Sequence, residues 1–279
     1  MMQDAFAYCA ELVRSADRDR YLASLFAPAG HRGALHALYA FNIEIARVRD
    51  VAHQALAGEI RLQWWREAIG GERPGEIPAN PVAAALMRTI ERHGLSGEAL
   101  ASLIEARRFD VYDEPMASLA DLESYAKSTC SALFALTSQI LGGIGGEIAA
   151  GPAGIAYAVH DALRLFPLHA ARRQLYVPAE LLRSHGVDAE DVFAGRGSGG
   201  LDAALADLRQ LAQAHLDALA ARIPALPPAA LPAFLPAALV RPSLKRLDRR
   251  DPFQPQELSP LRKQWLLWRA AGNPGRIAG

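Results

Sequence analysis

Apolar residues recur at three- and four-residue steps through residues 4–16, 30–51, 56–69, 81–93, 97–111, 119–141, 155–168 and 201–222. That period puts them on one face of an α-helix, so each stretch is expected to be helical. Nowhere does the chain alternate apolar and polar residues in the way a half-buried strand requires, so the expected fold class is all-α. The breaks are explicit: Ala27-Pro28-Ala29-Gly30, residues 70–81, residues 142–154 and the Gly/Ser loop 195–200. Pro178, soon after Tyr176 and Val177, ends one element, and residues 179–184 read as a short helix beyond it. Prolines recur too often from 223 to 236 for a regular helix, and residues 261–271 close the chain with one more. These breaks punctuate helices without separating domains. The expectation is one domain over residues 1–279, with a proline-rich segment from about 223.

A hydrophobic fraction of 51% with 22% charged residues fits a packed globular chain. Thirty basic and thirty acidic side chains cancel. No global field then draws the chain to nucleic acid, and any anion site has to be local. Cys9 and Cys130 stand far apart without metal or redox spacing, which suits a reducing compartment and two core thiols. The opening MMQDAFAYCAELVRSADRDR lacks the basic flank and apolar run of a secretory signal, so a cytoplasmic location is expected. Two long apolar stretches, 131–148 and 224–240, are interrupted by polar residues and Gly or by Pro, and neither reads as a membrane span.

The informative positions are polar residues inside core-like helices. In LYAFNIEIARVRD, residues 38–50, Asn42, Glu44, Arg47, Arg49 and Asp50 intrude on an apolar pattern. They form either a solvent face with ion pairs such as Glu44 with Arg47, or the polar floor of a cavity. In GEIRLQWWREAI, Arg61, Trp65 and Ile69 share a line, while the adjacent Trp64 faces elsewhere, so at least one tryptophan is core. A second group lies in YAVHDALRLFPLHAARRQLY, where Pro167 interrupts a helix carrying Asp161, Arg164 and Leu165. His160 and His169, nine residues apart, would point to opposite sides of a continuous helix, which disfavours a two-histidine metal site. Arg172 and Arg173 form either a surface basic pair or an anion site. The run Gly142-Gly143-Ile144-Gly145-Gly146 has the look of a phosphate loop, but it lacks the preceding strand and the Lys-Ser/Thr and reads as a helix connection. No serine, cysteine or histidine stands in a nucleophile-elbow context.

The order of several segments resembles the squalene/phytoene synthases, head-to-head prenyl transferases with an all-α isoprenoid-synthase fold. The matching stretches are YLASLFAP with the His-Arg that follows, LHALYAFN, GEIRLQWWREAI, LESYAKSTCSALFAL, and Arg164 through RRQLYVPAELLRSHGV. The likeness runs from about Asp17 to Val187 and, more weakly, through PAFLPAAL. Within that superfamily it is strongest toward the branch that includes the mitochondrial respiratory complex I assembly factor. The resemblance implies a helical bundle around a central cavity lined by residues 38–50, 119–141 and 155–168. Tyr21, Asn42, Glu44, Arg47, Asp50, Asp161, Arg164, Arg172 and Tyr176 are its expected polar lining.

Catalytic relatives carry two boxes of paired aspartates one helical turn apart, which hold Mg²⁺ bridged to the substrate diphosphate. Here those positions are Ala46 and Asp50 in the first box and Leu165 and His169 in the second, so one carboxylate of four is left. Leucine offers no ligand, and a hard cation prefers oxygen to imidazole. Asp19 and Arg20 also replace the serine and phenylalanine common before Tyr21. No cofactor is expected, apart from Mg²⁺ if the transferase chemistry survives. An alternative metal site from Glu44, Asp50, Asp110 and Asp161 stays open, as do guanidinium contacts from Arg47, Arg49, Arg164, Arg172 and Arg173 to an anionic lipid.

Two functions compete. One is a non-catalytic protein that binds a prenyl or other anionic lipid, assists respiratory complex I assembly, or both. Its expected partners are a complex I subunit or assembly protein and, peripherally, the inner face of the membrane. The other is a Mg²⁺-dependent transferase that joins two prenyl diphosphates.

Overall fold

The computed structural model describes residues 2–51, 54–112, 114–143, 145–248 and 251–279. Among the described residues there is no strand. The chain opens with α1 (Met2–Ala16), α2 (Arg18–Ser24), α3 (Ala29–Ala46), α4 (Val48–Val51), α5 (Ala55–Ile69), α6 (Pro81–His93) and α7 (Gly97–Ala106). It continues through α8 (Leu119–Ala126), α9 (Ala132–Ile140), α10 (Glu147–Arg164), α11 (Phe166–Ala171), α12 (Ala179–Ser184) and α13 (Ala189–Phe193). The rest comprises α14 (Gly199–Ala220), α15 (Leu231–Phe234), α16 (Val240–Leu247) and α17 (Pro260–Gly272).

Local chemistry accounts for several of the boundaries. Helix α6 starts at Asn80, whose side chain accepts from the Val82 and Ala83 amides at 3.0 and 3.1 Å, with Pro81 in the first turn. It stops at Gly94, in the left-handed region at φ 61°, after Arg92 has placed a positive group on its last turn. Ser96 and Ser198 cap α7 and α14 in the same manner.

The Cα positions form two compact units. The first comprises residues 1–112, 132–147 and 226–236. In it α1, α3 and α6 pack mutually, α5 lies against α7, and α9 contacts α3 and α15. Cys9, Val13, Leu35, Leu38, Phe41 and Leu86 are fully buried there, each large apolar side chain contributing roughly 1.5–3 kcal/mol. Trp65 meets Phe41 edge-on at 5.1 Å, and Phe134 stacks on Phe234 at 5.8 Å.

The second unit comprises residues 113–131, 148–225 and 237–279. Its longest helix, α14, buries Leu201, Leu205, Leu208, Ala212, Leu216 and Leu219 along one stripe and packs against α12 and α16. Of the segments expected to line a cavity, 38–50 belongs to the first unit and 155–168 to the second, while 119–141 is divided between them.

Several expected elements differ. The stretch 30–51 is two helices, because α3 ends at Arg47, whose φ/ψ of −93°/8° is not helical, before α4 begins. The stretch 119–141 is interrupted by a π-helical turn, Lys127–Ser131. Residues 142–154 are not a break throughout: α10 begins at Glu147 and carries Pro152 inside it. Next to it Ser131 Oγ donates to the Gly151 carbonyl at 3.0 Å. Gly142 and Gly145, at φ 73° and 88°, turn the chain between α9 and α10, so the glycine run is a helix connection; its Ile144 lies outside the described residues. Cys9 is core, with burial pushing its thiol up to about 12. Cys130, in the π-helical turn, is only half-buried and so is not the core thiol expected. No described helix is long and apolar enough to cross a membrane.

Candidate functional site

In the first unit the polar residues of α3 are tied to arginines of other elements. Asn42 is buried and accepts from Arg107 Nη2 at 3.4 Å, while Arg107 Nη1 donates to Asp110 Oδ2 at 3.0 Å. Both members of that Arg107–Asp110 pair are almost fully buried, an arrangement in which each charge depends on the other. Glu44 does not pair with Arg47, as helix spacing alone suggested; it accepts from Arg61 Nη2 of α5 at 3.1 Å. The reason is the end of α3: Arg47 leaves the helix, and its side chain is exposed. Ala46 is half-buried and Asp50 is exposed on α4. Arg49 Nη1 donates to the Tyr112 carbonyl at 3.2 Å.

Around Tyr21 the ring stacks on His36 at 5.5 Å. Ser24 Oγ donates to the Tyr21 carbonyl at 2.6 Å and lies 2.9 Å from His36 Nε2. The single hydroxyl proton is spent on the carbonyl, so Nε2 carries the imidazole proton. Burial, assisted by Arg32, pushes His36 down to about 4. Arg20 is buried; it reaches Asp17 Oδ2 at 2.5 Å and lies over the Tyr39 ring. Of the two tryptophans, Trp65 is core, and Trp64 donates from Nε1 to Glu76 at 2.6 Å.

The second unit holds the other candidates. Arg164, at the end of α10, donates to Asp161 Oδ1 from Nε at 3.2 Å and Nη2 at 3.1 Å, and to Glu257 Oε1 from Nη1 at 2.6 Å. Lys263 Nζ donates to Glu257 Oε2 at 2.9 Å. Burial alone would lower the guanidinium, but Asp161, Tyr157 and Glu257 raise it above its ordinary range. Glu257 is opposed by burial and held below the usual carboxylate range by Lys263 and Arg164. His160 lies beside this network with Nε2 2.8 Å from Ser243 Oγ; burial pushes it down to about 4, so it is neutral near pH 7. Beyond the break at Leu165, His169 packs against Tyr176 with ring centroids 4.6 Å apart, and Gln174 Nε2 donates to Tyr176 Oη at 2.8 Å. Arg172 is exposed; Arg173, at φ 55°, pairs with Glu190 and lies over Phe193 at 4.4 Å.

Glu257, Lys263 and Ser243 were not legible as members of this cluster. Glu257 is 93 residues from Arg164 and Ser243 is 83 from His160, so no local period connects them.

A divalent cation does not fit this donor set. Ala46 and Leu165 present no ligand, His169 presents a ring nitrogen, and Asp161 is bound to a guanidinium. Glu44 and Asp110, which an alternative metal site would have used, are each held by an arginine. Among the described residues no group of three His, Cys, Asp or Glu side chains is placed to hold a metal. What the arrangement offers chemically is a set of neutralised ion pairs and two neutral, buried imidazoles.

Known proteins place the chain. The curated NADH dehydrogenase (ubiquinone) complex I, assembly factor 6, of Rattus norvegicus is 34% identical over 215 residues, covering 76% of this chain and 65% of that protein. The Homo sapiens protein of the same name is 33% identical over 211 residues, covering 75% and 63%. The chain thus spans less than two thirds of the length of these relatives. A phytoene synthase of Thermus thermophilus is 29% identical over 209 residues, covering 73% and 69%. Among solved structures, a dehydrosqualene synthase in complex with ligand superposes with a TM-score of 0.84 at 18% identity, over 97% of this chain and 96% of that one. A squalene synthase from Alicyclobacillus acidocaldarius gives 0.70 at 23%, over 98% and 95%. These superpositions establish an all-α fold of the isoprenoid-synthase type. The squalene/phytoene synthase family profile matches residues 13–269, and the chain belongs to that family.

Proposed function

We propose that this protein is a non-catalytic member of the squalene/phytoene synthase family that assists assembly of respiratory complex I by binding, without turning over a prenyl diphosphate. What supports this reading is the chemistry of the positions that the resemblance assigns to the two boxes: Ala46, Leu165 and His169 bring no carboxylate where a metal-dependent synthase needs one. Ionising a diphosphate requires its developing charge to be neutralised. Arg164, the best-placed guanidinium beside the second box, is already neutralised by Asp161 and Glu257. The likeness to proteins named as complex I assembly factors supports the direction of the reading. Its partner would be a complex I subunit or assembly protein, met at the cytoplasmic face of the membrane. The exposed guanidinium of Arg47 is suited to an anionic lipid headgroup there.

The competing reading, Mg²⁺-dependent head-to-head prenyl transfer, draws on the phytoene synthase likeness. Deleting the gene and restoring it as wild type or as Asp50→Ala separates the two. The assembly role predicts less assembled NADH dehydrogenase on native gels, unchanged squalene and carotenoid content, and full rescue by both forms. Loss of a triterpene or carotenoid with respiration intact would refute it.

A further inference from the structure

Helix α17 has the sequence PLRKQWLLWRAAG. At about 100° per residue, Leu267 and Ala270 lie on one side of it, and both are fully buried. Leu261, Trp265 and Trp268 fall within roughly 60° of one another on the opposite side. They are the most solvent-facing large apolar side chains of the helix, at 79%, 50% and 66% exposure. Burying a tryptophan is worth several times what burying an alanine is, yet this helix turns Leu267 and Ala270 inward and both tryptophans outward. Such a face is built for something other than the core of its own unit.

The charges beside it narrow the occupant. From Pro260 to Gly279 the chain carries Arg262, Lys263, Arg269 and Arg276 and no acidic residue. Lys263 is turned toward Glu257, whereas Arg262 and Arg276 are exposed. Arg269 lies over the Trp265 ring at 4.3 Å, so a cation sits directly on the aromatic surface. Indole rings have an apolar body and one polar N–H, which suits the headgroup level of a bilayer, and adjacent arginines suit anionic phosphates. With 13 residues, α17 is about 20 Å long, too short to span a membrane and long enough to lie in its surface.

We infer that α17 is a membrane-docking helix that lays Leu261, Trp265 and Trp268 into the interface of an anionic phospholipid bilayer, with Arg262 and Arg269 on the headgroup phosphates. The reading is independent of whether the chain assists complex I assembly. Flotation with vesicles tests it, comparing phosphatidylcholine with an equal mixture of phosphatidylcholine and phosphatidylglycerol. The full chain is expected to float with the anionic vesicles, more weakly with neutral ones and less in high salt, with a blue shift of tryptophan emission. Combining Trp265→Ser with Trp268→Ser should lower the bound fraction at least about tenfold and leave the far-UV circular dichroism unchanged, since both side chains are exposed. Absence of the wild type from the vesicle fraction, or equal flotation of the double variant, would overturn the inference. So would a wild-type dimer that ignores vesicles and becomes monomeric in the double variant, which would make the face a protein interface.

Discussion

Two histidines carry the clearest consequence of single-residue burial. His36 in the first unit and His160 in the second are each held neutral, at about 4 against an ordinary 6.5. Between those values the unfolded chain binds a proton at each site and the folded chain does not. Their contribution is therefore complete above about pH 6.5 and is lost as pH falls toward 4, by on the order of 3 kcal/mol for each histidine. Urea midpoints measured across this window should fall more steeply for the wild type than for His36→Gln or His160→Gln. Equal slopes would mean that the imidazoles are solvated in the folded state. From the sequence, His160 was legible only as a metal ligand to be set aside, because its partner Ser243 comes from α16. The acids divide: Asp161 is held by Arg164 three residues on in the same helix, a local spacing, whereas the arginine that holds Glu44 is set by packing. Glu44 illustrates the limit, since a neighbour three residues away lost to Arg61 of another helix.

Helix positions were largely legible, because period and caps are local properties. Residues 81–93 and 179–184 coincide with α6 and α12, and the α6 boundaries follow from Asn80, Pro81 and Gly94. What spacing could not show was where packing overrides a breaker. Pro152 and its flanking glycines read as a loop, yet α10 runs through them. Gly154 explains part of this: a Cβ there would overlap the Ser131 backbone nitrogen and Cα, so α10 and the π-helical turn approach backbone to backbone. Neither side can yield as a flexible side chain would. Gly154→Ala should therefore destabilise the protein by on the order of 3 kcal/mol, read as a lower urea midpoint. An unchanged midpoint would show that the two elements are not in close contact.

At the scale of the whole chain, the order of segments was enough to place the fold, and the family profile over residues 13–269 agrees with it. Function was less legible for a physical reason: a fold is maintained by many interchangeable apolar contacts, whereas diphosphate chemistry depends on a few oxygen ligands. On the proposed reading the chain keeps the first and lacks most of the second, since Ala46, Leu165 and His169 bring no carboxylate to the positions that the resemblance assigns to the boxes. The central claim, that the fold persists without its chemistry, is tested most directly by incubating the purified protein with Mg²⁺ and farnesyl or geranylgeranyl diphosphate, alongside an active synthase of the family. The account predicts pyrophosphate release no higher than in the protein-free control and no hydrocarbon product. Repeated turnover that yields pyrophosphate together with a squalene- or phytoene-type hydrocarbon would contradict it.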